Sequence, residues 1–273
     1  MAKTTRDRRC GAGLLMAAVL TLGGVAGATQ AQAQTASGTG QVTRTFNWNG
    51  GEHLAVGVPG HVRFVPGAAS KVTITGPADI VDHMVVERGD IHPDREVWGW
   101  WIWPRRHSRN VEIVVTAPRL SDVHVGGAAD VELGQLSQDR LDLELSGAGG
   151  AHVSGAFRSL HVWVSGAGGA RLDGVRASEM EADLSGSGWI KASGTAQSLR
   201  LLVSGAGHAD MSALSVDDVE AGLSGSGSAR IAPKRSAEIG VSGAGSVRLM
   251  TTPARLVTHR SGAGSIIRPD GSN

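Results

Sequence analysis

Cysteine occurs once in 273 residues, at position 10, and no apolar stretch beyond residue 28 approaches membrane-spanning length. A single thiol excludes a disulfide framework, so the chain must fold by burial alone. An excess of charge of one sign is also missing: 26 Lys and Arg stand against 25 Asp and Glu. That balance does not imply a global affinity for nucleic acid or membrane surfaces. Motifs that carry chemistry are equally scarce. The histidines show no His-x-His or Cys-partner spacing, so no metal is expected. The residues after the glycine motifs (Gly150, Gly169, Trp189, His208) are not the aspartates of calcium-binding nonapeptide repeats. No threonine row suits ice, and the glycines sit within strand-like repeats rather than before helices, which excludes a phosphate or dinucleotide loop. No cofactor is expected.

The N-terminal 33 residues follow the pattern of a secretory leader. Lys3, Arg6, Arg8 and Arg9 form a basic region, an apolar run extends from Gly11 to about Ala28, and Ala31 and Ala33 supply a small-residue cleavage site. Cleavage is expected after Ala33, with Ala28 as the second choice, and residues 34–40 as a flexible lead-in. The run is short for an uncleaved anchor. Loss of the leader removes Cys10, changes the formal charge from +1 to −2, and implies an extracytoplasmic location.

What the chain has is glycine, 40 residues of it, arranged periodically. A tetrad Ser-Gly-(Ala/Ser)-Gly recurs seven times. Its fixed positions are Ser146, Gly147 and Gly149; Ser165, Gly166 and Gly168; Ser185, Gly186 and Gly188; and Ser204, Gly205 and Gly207. The series continues with Ser224, Gly225 and Gly227; Ser242, Gly243 and Gly245; and Ser261, Gly262 and Gly264. Successive copies are 18 to 20 residues apart, and a degenerate copy begins at Gly126. Five, three and one positions before each serine the residues are apolar (Leu160, Val162 and Val164 in one copy), and the intervening ones are mostly polar. Five and seven positions after it the pattern returns, as Ala170 and Leu172. Period two is the mark of a strand with one buried face. Each repeat therefore reads as a strand, a glycine corner, a second short strand and a connecting turn such as "GAFRS". One unit cannot bury its apolar face alone, but stacked units can. The fold class predicted is all-β, a parallel β-helix (β-solenoid) of about 20-residue coils over residues 121–270. Eight coils would span about 38 Å at about 4.8 Å per rung. Residues 41–120 alternate without the tetrad and read as opening strands, with a tryptophan-rich insertion at 96–109. The serines are expected to bond to one another or to corner backbone groups. Arg260, Arg268 and Pro269 interrupt the last copy, as suits a blocked edge.

The tetrad series, together with "VEIVVTAPRLSDVHVGGAADVELGQL" (Val111–Leu136), resembles the bacterial family "putative auto-transporter adhesin, head GIN domain". The resemblance extends over residues 40–270. It implies an extracytoplasmic β-helix, right-handed, with an adhesin-like role and no catalytic residues to carry over. No translocator barrel, sorting signal or lipobox accompanies it.

Two surface features are candidates for binding. In "EVWGWWIWPRRHSR", Trp98, Trp100, Trp101 and Trp103 would fall on both faces of an extended strand, beside Arg105, Arg106 and Arg109. Such a set suits sugar stacking, a lipid interface or a protein partner, or else packing of a hairpin on the helix end. Six positions after the serines, His152, Arg171, Lys191, Arg230 and Arg248 (with Asp210 among them) would stack into a basic stripe. That stripe would either track a linear polyanion or remain a solvated face. Four positions before the serines, Asp142, His161, Glu181, Arg200, Glu220 and Glu238 interleave signs. Ligands expected from these features are an envelope glycan, a lipid head group or a protein partner, in a non-enzymatic role. The enzymatic alternative pairs Glu144 with Asp183, two coils apart at about 9.6 Å, near the 6.5–9.5 Å of an inverting glycosidase. A purely structural envelope protein is the third reading.

Overall fold

A computed structural model describes residues 32–34, 40–94 and 111–271. Strand accounts for 75% of the described residues and helix for 2%, so the all-β, parallel solenoid expectation holds. Among the described residues no helix is long and apolar enough to cross a membrane.

The opening strands are β1 (Gln32–Gln34), β2 (Gln41–Asn47), β3 (His53–Val56), β4 (Gly60–Pro66) and β5 (Lys71–Pro77). A short helix α1 (Ala78–Val81) leads to β6 (Met84–Glu87) and β7 (Asp90–Pro93). Then come β8 (Glu112–Ala117) and β9 (Asp122–Val125). The long rungs are β10 (Ala129–Leu145), β11 (Gly150–Gly166), β12 (Gly169–Gly186), β13 (Trp189–Gly205), β14 (His208–Gly225) and β15 (Ser228–Gly243). β16 (Ser246–Leu249), β17 (Arg255–Gly262) and β18 (Ser265–Ile267) end the chain. About seven turns result, rather than eight, because β18 follows the last tetrad without completing a circuit.

Each long strand pairs in parallel with the next and breaks register at a bend, for example between Leu172 and Val175. Every turn therefore has three faces: one after the tetrad, one after the bend, and one leading into the next tetrad. The "GAFRS" stretch is not a loose connection. Ala156 pairs with Arg176 and Phe157 with Ala177, and Phe157 is buried. This second face escaped the sequence pattern because it contributes few large apolar residues.

The core is a set of vertical columns. Leu145, Val164, Leu184, Val203, Leu223 and Val241 follow one another rung by rung, all buried. Removal of this apolar surface from water drives the stacking, at about 25 cal/mol per Å². At the N-terminal end, β5 pairs antiparallel with β8 and β2 pairs antiparallel with β5. Reversed strands thus cover an edge that would otherwise invite another chain. At the other end Thr258 and Arg260 occupy column positions that earlier rungs fill with apolar side chains, and both are exposed. The column ends in polar groups.

At the tetrad corners successive rungs approach too closely to admit a side chain at the glycines. From Gly186 to Gly262 the first glycine of each has φ between +104° and +119°. A Cβ on Gly225 would stand 2.5 Å from the Gly205 carbonyl oxygen, and one on Gly168 would stand 2.2 Å from that of Gly149. Only glycine permits that approach. The approach lets backbone bonds continue through the corner, as in Ser226 N–H to Gly205 O at 2.9 Å and Ser228 N–H to Gly207 O at 3.0 Å. The serine ladder differs from expectation. The serines stack in register and are exposed, but only Ser242 Oγ reaches a carbonyl, Leu223 O at 3.5 Å, and none bonds to another. Their side chains point away from the tight corner and are left to solvent.

Gly225→Ala is expected to destabilise the protein by about 2–5 kcal/mol, from backbone strain and crowding combined. Ser226→Ala, at an exposed corner position, should change stability by less than about 0.5 kcal/mol. Chemical denaturation of both variants checks this, and equal effects would contradict it.

Candidate functional site

Register decides which predicted residues meet. On the first face the stripe forms as one outward column: Arg63, Glu132, His152, Arg171, Lys191, Asp210, Arg230, Arg248. It is less free than its sequence implies. Asp173 lies 2.7 Å from Arg171 Nε and 2.8 Å from His152 Nε2, Arg230 lies 3.7 Å from Asp210, and Arg63 lies 3.5 Å from Glu132. The Arg171 bond holds the Asp173 carboxyl below its ordinary range, and His152 adds to this.

Sequence reasoning passed over Trp189. It sits two residues before Lys191 on β13 and 44% of its surface is exposed. The equivalent positions on the two preceding rungs are Gly150 and Gly169. The indole lies over Gly169: a Cβ there would be 2.1 Å from the ring. A shallow concavity lined by His61, Asp130, Glu132, His152 and Trp189 follows. The signal was present in the sequence as a large aromatic in a column of glycines and small residues.

On the third face the interleaved ladder pairs between rungs. Arg200 reaches Glu181 at 3.6 Å and Glu220 at 3.5 Å, and His161 lies 3.0 Å from Asp142. The exposed Arg200 pairs contribute at most about 1 kcal/mol each. Glu144 and Asp183 share the next column with Trp163 on the rung between them. An inverting pair must flank an open water site, and an indole occupies that rung. Burial, with Glu181 nearby, raises the Asp183 pKa. His124 stands one rung from Glu144 in the same column, with Nδ1 2.9 Å from the Glu144 carboxylate. The fold also brings together donors that the sequence keeps apart. His53, Asp122 and His124 bring donor atoms within 4.8 Å of one another. Spacing could not reveal them, because His53 and Asp122 lie 69 residues apart. Beside the ladder, Leu202, Gly222, Gly240 and His259 floor an open trough of about 790 Å³.

Trp98, Trp100, Trp101, Trp103, Arg105, Arg106 and Arg109 lie outside the described residues.

The three-faced solenoid with its glycine corners is matched by the family model "putative auto-transporter adhesin, head GIN domain" across residues 52–253. The chain belongs to this family. Similar solved structures include a "putative lipid binding protein" of Parabacteroides distasonis, at TM-score 0.73 and 17% identity, covering 84% of this chain and 96% of that one. A "putative adhesin" of Bacteroides fragilis is similar at TM-score 0.62 and 21% identity, over 84% and 96% of the two chains. Another, of Parabacteroides merdae, has TM-score 0.68 and 14% identity, over 84% and 95%. At these identities the likeness speaks to fold. No curated protein matches the GIN-domain chain.

One ion pair of the solenoid couples it to pH. Asp218 accepts bonds from Arg235 and, at 2.7 Å, from Ser236 Oγ on the next rung. The Arg235 bond, then the Ser236 bond, lowers its pKa from 3.8 to about 2. A depressed carboxyl pKa adds stability above its ordinary value, and that stability is lost as pH falls toward the folded one. The melting temperature of the native chain should therefore drop more steeply between pH 4 and about 2 than that of Asp218→Asn. Parallel curves would contradict the coupling.

Proposed function

We propose that this GIN-domain protein is an extracytoplasmic, non-enzymatic binding protein whose first face holds an acidic envelope glycan. The observation that carries the reading is Trp189, an exposed indole lying flat beside Arg171 and Lys191. A sugar ring stacks on an aromatic face, and a carboxylate, sulfate or phosphate on that sugar meets the cations one rung apart. Rung spacing repeats the cationic positions along the column, which suits a linear chain better than a compact ligand. Location outside the cytoplasm rests on the leader-like N-terminus and on the family. The tryptophan-arginine segment at residues 96–109 is the second contact in this proposal.

Trp189→Ala should weaken binding of acidic oligosaccharides about tenfold, or about 1.4 kcal/mol. Arg171→Glu with Lys191→Glu should abolish it, and affinity should fall as salt rises. Calorimetry against acidic and neutral glycans in chelator-treated buffer checks this. Unchanged affinity in Trp189→Ala, or equal affinity for neutral glycans, would contradict it. Preference for vesicles containing an anionic phospholipid would redirect the same cations to a lipid head group.

A further inference from the structure

The third face carries a cluster that glycan binding does not use. His53 on β3 and Asp122 on β9 are register partners, and His124 is two residues beyond Asp122, so all three side chains leave the same face. The Asp122 carboxylate stands between two imidazoles: Oδ2 is 2.8 Å from His53 Nδ1, and Oδ1 is 2.9 Å from His124 Nε2. The imidazoles themselves stand 5.5 Å apart, centre to centre. Each ring also has its second nitrogen directed at another carboxylate. His53 Nε2 lies 3.4 Å from Asp90 Oδ1 on β7, and His124 Nδ1 lies 2.9 Å from Glu144 Oε2 on β10.

We propose that His53, Asp122 and His124 form a binding site for a divalent transition-metal ion of the zinc class, with Asp90 and Glu144 as outer-shell carboxylates. Two imidazoles and one carboxylate are a ligand set that suits zinc and its neighbours, whereas calcium and magnesium take oxygen donors. The outer carboxylates do what such groups do in metal sites: they fix ring orientation and raise the basicity of the ligating nitrogen. All five residues come from strands or strand ends held in parallel register, so the donors are preplaced by the solenoid frame. The ligands are each only half-buried, which leaves the far side of the ion open to water or to a donor from a partner. The site lies on a different face from Trp189 and the cationic column, so the two proposals stand or fall separately.

Zinc titration of the full, untagged chain tests the site, followed by calorimetry and, with cobalt(II) as probe, by visible absorption. One zinc per chain is expected, with cobalt bands of nitrogen ligation that zinc displaces. His124→Gln and His53→Gln should reduce affinity by more than about 100-fold, and Asp90→Asn and Glu144→Gln by about 10–100-fold. His152→Gln, in a histidine–carboxylate pair on the first face, should leave it unchanged. No uptake of zinc, wild-type affinity in His124→Gln, or loss of affinity in His152→Gln would overturn the proposal. The cobalt spectrum of the unsubstituted chain decides the matter if a histidine variant fails to fold, with absent bands overturning the assignment.

Discussion

The approach of one glycine corner to the next is the constraint on which the rest of the molecule depends. Parallel strands stack with side chains in columns only if nothing at the turn holds successive rungs apart. At Gly205 and Gly225 the gap between rungs is filled by backbone alone, and a Cβ would meet a carbonyl oxygen. With the corner closed, bonds such as Ala206 N–H to Gly186 O run through it without interruption. Backbone polar groups that a looser corner would strand are thereby paired. The apolar columns then close behind them, and no polar or charged residue is buried in the described core.

The same constraint determines what the surface can do. Because equivalent positions recur one rung apart, any outward side chain acquires neighbours from segments about 20 residues away. On the third face this yields charges that mostly neutralise one another, as Arg200 does with Glu181 and Glu220. On the first face it yields cations in a row, with Trp189 laid over Gly169 at their side. At the N-terminal turns it gathers histidines and carboxylates that sequence distance keeps apart. Binding in this architecture is a property of columns, not of motifs.

Much of the fold was legible because the solenoid writes its geometry into a period. Leu145, Val164 and Leu184 announce the buried column, and the tetrads announce the corners. The second face was not legible, since Phe157 and Ala177 at equivalent positions look nothing alike in size. The opening strands were legible as strands but not in their pairing, because β2 and β5 run antiparallel where the later rungs are parallel. Of the sites, the cationic stripe could be read from spacing. Its neutralisation by Asp173 could not, because that residue belongs to the bend rather than to any column. The His53–Asp122 contact joins β9 to β3, which lies outside the tetrad period, so no repeat pointed to it.

Rung-to-rung register is the claim on which all of this rests, and paired cysteines measure it directly. A disulfide requires Cα atoms about 4.4–6.8 Å apart, a span met by adjacent rungs at about 4.8 Å and not by rungs three steps apart. In a Cys10→Ser background, Arg171→Cys with Lys191→Cys should oxidise readily to an intramolecular disulfide, and Arg171→Cys with Arg230→Cys should not. Ready closure of the distant pair, or failure of the adjacent one, would contradict the stacked columns and the sites built on them.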